Sequence, residues 1–419
     1  MVSTPLSLFS EHSSVRSDIQ ALQSELVQWR RSLHQKPELG FQEHLTAKFV
    51  AQKLQQWQIP HQTGIAQTGI VATIASGKPG PVLAIRADMD ALPVQEENDV
   101  PYRSQHPGLM HACGHDGHTA IALGTAYYLA HHLVHQPDFT GTVKIIFQPA
   151  EEGPGGAQPM IAEGVLRNPD VDAIIGLHLW NNLPLGTVGI CEGALMAAVE
   201  TFDCIIQGKG GHGAMPHQTI DSIVVSAQIV NALQTIVSRN VNPLQSAVVT
   251  VGSLHAGHAH NVIPDRAELK GTVRYFDPSL SDFFKQRIEA VIAGICQSHG
   301  ARYHLEYCKL YPPVINDQHI ANLVRSVAET VIETPAGIVP DCQTMGGEDM
   351  SFFLQEVPGC YFFLGSANLN KGLAYPHHHP RFDFDETALS IGVEIFVRCV
   401  EKVCCPAKSD TQQAAIEKT

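Results

Sequence analysis

At 419 residues the chain exceeds one typical core, so two or three domains are expected. Hydrophobic residues make up 44% and charged residues 16%, the balance of a well-buried enzyme, and a net charge of −14 without a Lys/Arg-rich run argues against nucleic acid or an anionic membrane as the main partner. No stretch reaches the roughly 18 consecutive apolar residues of a membrane span. Residues 1–18 carry Glu11 and no long apolar core, which does not read as a signal peptide. The 10 cysteines lack framework spacing, and several, such as Cys204, Cys296 and Cys360, lie within apolar runs. Reduced thiols in a cytoplasmic setting are expected.

In chain order, residues 15–35 and 42–57 show helical periodicity, separated by Pro37 and Gly40. Strand-like apolar runs follow at 69–74, 82–87, 142–148, 173–179 and 361–364, with a helix-like stretch at 117–133. This alternation predicts a mostly parallel, three-layer α/β/α sheet domain. Residues 197–309 read differently: strand 199–207, helix 220–238, strands 247–254 and 267–275, helix 280–297 and strand 302–308. That β-α-β-β-α-β order predicts an inserted ferredoxin-like domain. The catalytic domain is then discontinuous, 1–196 with 310–405, and 406–419 is a polar, frayed tail.

Ligands of such sheets sit beyond the carboxyl ends of the strands, and the chemically capable residues collect there. Asp88 and Asp90 close one strand, Glu151 and Glu152 follow another within Gln148-Pro149-Ala150-Glu151-Glu152-Gly153, and His178 ends a third. Cys113 and His115, within His111-Ala112-Cys113-Gly114-His115-Asp116-Gly117-His118, open the helix-like run, where the helix dipole favours a thiolate. Thiolate, imidazole and carboxylate together hold divalent transition metals. Of two adjacent carboxylates, one can bind metal while the other takes a proton from water. Asp88 and Asp90 are either ligands or carboxylates that orient an imidazole. A further histidine is available in Tyr375-Pro376-His377-His378-His379-Pro380. Gly208-Lys209-Gly210-Gly211-His212-Gly213 matches G-x-G-x-x-G but is not a dinucleotide site: Pro216 follows, no helix opens from the glycines, and Leu233 stands where an acidic ribose ligand is needed. His212 reads instead as a substrate-contacting loop residue.

These stretches, with Leu33 to Phe41, Arg86 to Pro93, Gly271 to Arg274 and Gly346 to Met350, resemble the di-metal aminoacylase and carboxypeptidase superfamily. The similarity is greatest to its branch of N-acyl-amino-acid amidohydrolases, hippurate hydrolases and indole-3-acetyl-amino acid hydrolases. The resemblance implies two metal ions, manganese or zinc, held by Cys113, His115, Glu152, His178 and one C-terminal histidine. Counting back from Pro380 against the branch's histidine–small residue–proline pattern picks His378. It implies that Glu151 is the general base, that 197–309 is a lid and dimerisation domain, and that His212 of one subunit reaches the other's site in a homodimer. Asn261 and Arg274 are implied near the substrate.

The expected reaction is metal-dependent hydrolysis of an N-acyl amino acid. His212 would stabilise the oxyanion and Arg274 would pair with the carboxylate. A dipeptidase or carboxypeptidase with the same machinery is the alternative, and a non-catalytic metal-binding homologue the reading from another class.

Overall fold

The computed structural model describes residues 14–333 and 337–405. The expectations for the extreme N-terminus and for the 406–419 tail fall largely or wholly outside them. The chain divides into two compact units. One contains the residues up to Gly193, Ile315–Cys342 and those from Phe352; the other contains Ala194–Val314 and Gln343–Ser351.

The first unit opens with helices α1 (Ser17–Ala21), α2 (Gln23–His34) and α3 (His44–Gln56). Strands β1 (His61–Ile65), β2 (Gly69–Ala75) and β3 (Val82–Asp88) follow, then α4 (His115–Tyr128), β4 (Thr142–Gln148), α5 (Ala157–Ala162), β5 (Ala173–Pro184) and β6 (Val188–Gly189). In the other unit lie β7 (Gly193–Met196, its first residue still in the first unit), β8 (Val199–Gln207), β9 (Gly211–His212), α6 (Ser222–Asn240), β10 (Ala247–Ala256), β11 (Val262–Ile263), β12 (Arg266–Tyr275), α7 (Leu280–His299) and β13 (Arg302–Tyr311). The chain then passes through β14 (Val314–Asn316), α8 (Gln318–Val331), β15 (Ile338–Val339), α9 (Met350–Glu356), β16 (Gly359–Ala367) and α10 (Ala388–Cys404).

The first unit is built on an eight-stranded sheet in the order β1-β2-β4-β3-β5-β16-β6-β15. Its centre is parallel: β4 with β3, β3 with β5, and β5 with β16. The edge pair β6–β15 is parallel too, so the sheet is mostly parallel as expected, with β1–β2, β2–β4 and β16–β6 antiparallel. A three-residue turn between β1 and β2 permits only a hairpin, whereas parallel neighbours need a crossover. Every residue of β3 is buried, the signature of a strand covered on both faces. Helix α4 is buried along almost its whole length, and at Gly124 it meets α2 and α10 so closely that a Cβ would lie 2.5 Å from Leu26 Cδ2 and 2.9 Å from Val393 Cγ2. The amphipathic α8 buries Ala321, Val324, Val327, Ala328 and Val331, and Asp317 caps it by accepting from His319 N and Ile320 N.

The second unit carries a four-stranded antiparallel sheet, β10-β12-β8-β13, with α6 and α7 between its strands in β-α-β-β-α-β chain order. Its core is separate from that of the first unit, built on Phe202, Ile229, Leu233, Phe284 and Ile288 among others. β13 alternates between half-buried and exposed residues, as expected of a strand with one covered face.

Gly124→Val places two extra methyls and a Cβ into the α2–α4–α10 junction, where neither neighbour has room. The overpacking is expected to cost about 1–3 kcal/mol and lower the thermal midpoint; an unchanged or raised midpoint would contradict the tight junction.

Candidate metal centre

The parallel register positions the site. Asp88 is level with Gln148 across β3 and β4, and Arg86 is level with Gly176 across β3 and β5. Asp88, Glu151, Glu152 and His178 therefore emerge at one edge. His178 does not end its strand as expected. β5 continues to Pro184 because β16 pairs with it to that point, placing Phe363 beside His178. Gly114 precedes α4 at φ 99°, a left-handed turn that favours glycine, with Cys113 and His115 on either side. Ala150, next to Glu151, and His378 also have positive φ, 54° and 66°. Strained backbone of this kind in non-glycine residues clusters at functional sites.

Cys113 Sγ lies 3.4 Å from His178 Nε2. His115 Nε2 is 3.9 Å from Glu152 Oε1 and 4.0 Å from Glu151 Oε2. His378 Nε2 approaches Glu152 Oε1 to 3.2 Å. The donor atoms fall into overlapping groups, each within 4.8 Å: Cys113, His115 and His178; Cys113, Glu152 and His378; His115, Glu151 and Glu152. The far ring nitrogens are already engaged. His178 Nδ1 is 2.6 Å from the Leu179 carbonyl oxygen, and His115 Nδ1 is 3.0 Å from the Asp90 carbonyl and 3.2 Å from its carboxylate. These partners assign the proton to Nδ1 and leave Nε2 to face the pocket.

The donor set fits divalent cations on two counts. His115 Nε2 and Glu152 Oε1 are buried without an assigned hydrogen-bond partner among the described residues, His378 Nε2 standing as an ion-pair contact 3.2 Å from Glu152 Oε1. Buried polar atoms left so cost about 1–3 kcal/mol each, which a bound cation removes. The second count is charge. Burial, reinforced by Glu152, Glu151 and Asp88, pushes the Cys113 thiol well above its ordinary range. A cation among these groups reverses that balance and makes the thiolate the stable form. Burial, with His118 and His377 nearby, holds His178 neutral, the form that ligates.

The two aspartates divide. Asp90 contacts His115 and accepts from Glu152 N at 2.9 Å. Asp88 contacts His118 Nδ1 at 2.6 Å and Arg86 Nη1 at 2.7 Å. His118, not singled out by the sequence reading, spends its other nitrogen on Leu179 N at 2.8 Å. Among the C-terminal histidines, His377 Nε2 contacts the Leu179 carbonyl at 2.9 Å and its ring stacks on Trp180. His379 stacks on Tyr375 and accepts from Arg381 N. His378 alone of the three has a ring nitrogen against Glu152.

His212, Asn261 and Arg274 lie in the second unit. His212 pairs with Val262 across β9 and β11, and the Asn261 carbonyl accepts from Gly213 N, so these two are neighbours. The glycine-rich segment forms this short ladder, and the next long helix, α6, starts only at Ser222, as the rejection of a dinucleotide site required. Arg274 lies on β12, half-buried, and burial lowers its affinity for a proton.

The sequence reading missed the buried ion network behind α4. Arg30 donates to Asp116 at 2.8 Å, Asp383 at 2.7 Å and Glu386 at 3.2 Å. His34 bridges Asp116 at 2.8 Å and Glu96 at 3.2 Å. The one available signal was Arg30 and His34 at helical spacing i, i+4. Burial and Arg30 oppose a charge on His34, but Asp116 and Glu96 outweigh them and raise its pKa to about 9. The charged ring therefore contributes stability that is full below about 6.5, its unfolded value, and is lost as pH rises through about 9. The stability difference between wild type and His34→Gln should shrink between these limits in thermal melts; a pH-independent difference would contradict the charged state.

The description "Peptidase family M20/M25/M40" matches residues 84–402. N-acyl-L-amino acid amidohydrolase of Geobacillus stearothermophilus is 47% identical over 74% of this chain and 84% of its own length. Thermostable carboxypeptidase 2 of Saccharolobus solfataricus is 39% identical over 90% of this chain and 95% of its own. Among solved structures, a Bacillus subtilis protein described as a dinuclear metal-binding peptidase superposes with a TM-score of 0.79 at 36% identity, covering 92% of this chain and 99% of that one. With sequence and fold both matching, the chain belongs to peptidase family M20/M25/M40.

Proposed function

We propose that the protein hydrolyses the amide bond of N-acyl amino acids, with two divalent metal ions at the site and Glu151 as the general base. The carrying observation is the adjacent pair after β4, with Glu152 Oε1 against His378 and His115 and Glu151 Oε2 at 4.0 Å from His115 Nε2. Cys113, His115, Glu152, His178 and His378 would hold the ions. The thiol and imidazoles suit zinc, and the carboxylates suit manganese. Bound there, the pair supplies Lewis-acid polarisation of the amide carbonyl and a water acidic enough to react at neutral pH.

Glu151 takes a proton from the attacking water as its oxygen bonds to the carbonyl carbon. It returns that proton to the amide nitrogen as the C–N bond breaks, leaving a carboxylic acid and a free amino acid. Asp90 keeps His115 Nδ1 engaged and so keeps Nε2 directed at the pocket. On the other unit, which we assign as a lid and dimerisation domain, His212 would donate to the oxyanion, Arg274 would pair with the substrate carboxylate, and Asn261 would line the substrate. Ten cysteines, with no disulfide assigned among the described residues, support a reducing, cytoplasmic setting. No helix among the described residues is long and apolar enough to cross a membrane.

The carboxypeptidase relative favours a second reading, cleavage of a C-terminal residue from a peptide by the same site. Acyl amino acids and blocked dipeptides, compared by kcat/KM, separate the two.

Glu151→Gln should keep its metal and its fold yet lose on the order of 10²–10⁴-fold in kcat, the range of a lost acid–base group; near-wild-type turnover of the loaded variant would remove the assignment. Cys113→Ser and His378→Ala should bind less metal by elemental analysis, whereas His377→Ala and His379→Ala should retain more. Full metal content in the first two would return those residues to a structural role. Mixing inactive Glu151→Gln and His212→Ala chains should restore up to about a quarter of wild-type activity, because half of randomly formed two-fold dimers are mixed and each holds one intact site. No recovery despite proven subunit exchange would place His212 in its own subunit's site or outside catalysis.

A further inference from the structure

β6 and β15 pair in parallel, Val188 with Ile338 and Gly189 with Val339, and Ile190 N continues the ladder to Val339 O at 3.0 Å. Just past these paired ends stand Cys191 and Cys342. The Cys342 side chain folds back over β6: a Cβ on Gly189 would lie 3.0 Å from Cys342 Cβ and 3.1 Å from its Sγ, so the glycine makes the space. Cys191, two residues beyond Gly189, lies on the same face of that chain segment, and each of the two thiols perturbs the other's ionisation. Backbone contacts fix the strand end that carries Cys191. Asn316 Nδ2 donates to the Cys191 carbonyl at 3.0 Å, and Arg325 Nη2 donates to the Ile190 carbonyl at 3.4 Å.

Both thiols are partly exposed, whereas Cys113, Cys204, Cys296, Cys360, Cys399 and Cys404 are buried. Neither belongs to the proposed hydrolytic machinery. Neighbouring thiols on adjacent, ordered strand ends, within reach of a small oxidant, have the makings of a reversible cross-link.

We propose that Cys191 and Cys342 are a redox modification site that closes to an intramolecular disulfide, with Cys191 as the attacking thiol and a hydroperoxide as the oxidant. The neighbouring Cys342 thiol lowers the Cys191 pKa against its burial, and Arg325 adds to the effect, while the Cys191 thiol and burial raise that of Cys342. Cys191 is therefore the first to ionise. Its thiolate attacks the terminal peroxide oxygen and the O–O bond breaks, giving a sulfenic acid and, after proton uptake, an alcohol or water. Cys342 sulfur then attacks Cys191 sulfur, the S–O bond breaks, and its proton leaves with the hydroxide as water. Two thiols lose two electrons, and the peroxide gains them. Cys191 lies shortly before the chain leaves the first unit at Gly193, and Cys342 is the last residue before a later exit. The bond would tie those two exits together.

The test uses the full-length, metal-loaded protein treated with hydrogen peroxide, alkylated, digested without reductant and analysed by mass spectrometry. A peptide carrying Cys191 linked to one carrying Cys342, two hydrogens lighter than their sum and released by dithiothreitol, is the expected result. Exposed Cys308 should remain available to the alkylating agent and serves as the internal control. Oxidation should raise the thermal midpoint of the wild type but not of Cys342→Ala, in which dimedone should trap a sulfenic acid at Cys191. Both thiols remaining alkylatable after peroxide, or Cys191 advancing to a sulfinic acid beside a free Cys342, would overturn the proposal.

Discussion

Burying Asp88, Asp90 and Glu151 beside the largely buried Glu152, a thiol and several imidazoles is the constraint around which the first unit is arranged. Each desolvated carboxylate costs several kcal/mol unless positive charge or hydrogen-bond donors surround it. Arg86 compensates Asp88, which is held well below its ordinary range by His115, His118 and Arg86 against the effect of burial. Glu152 has imidazoles on its open side, His378 at 3.2 Å and His115 at 3.9 Å, and an oxygen without a hydrogen-bond partner among the described residues. The remaining compensation is the cation that this donor set fits. On this account the negative charge gathered at this edge is what attracts a metal ion.

The fold delivers the donors from distant parts of the chain with little freedom. Parallel β3, β4 and β5 hold Asp88, the Glu151–Glu152 pair and His178 by backbone register, which side-chain motion cannot disturb. The loop bearing His378 has no strand to hold it. It is fastened by His378 N to the Ala112 carbonyl at 2.7 Å, by His377 to Leu179, and by Asn181 Nδ2 to the Tyr375 and Asp383 carbonyls. Arg30 joins Asp383 in that loop to Asp116 in the first turn of α4, so one fully buried guanidinium braces two of the segments that carry candidate ligands. Losing it would leave Asp116 and Asp383 as buried charges short of a partner, the costly way to break such a network.

Much of this was legible in the sequence because local pattern and tertiary role coincide. β3 and β4 are short apolar runs, and the β-α-β-β-α-β order of the second unit is written in periodicities that switch between two and 3.6 residues. What escaped depends on partners far away in the chain. Nothing local extends β5 to Pro184, since that stretch is strand only because β16 pairs with it. Spacing could not tell that Asp90 contacts His115 while Asp88 mainly serves His118, because the chain's turn after β3 decides it. Arg30 was unreadable for the same reason: an arginine in an amphipathic helix is ordinarily exposed, and its three acidic partners come from α4 and the segment before α10.

The most direct test of the metal account is stoichiometry joined to activity in one preparation. The purified protein would be stripped with a chelator, titrated with manganese or zinc under calorimetric observation, and assayed for release of free amino acid from an N-acetyl amino acid at each step. The account predicts two bound ions per chain, loss of hydrolysis in the stripped protein and recovery as the sites fill. Full hydrolysis by protein shown to be metal-free, or no metal binding at all by folded protein, would contradict it.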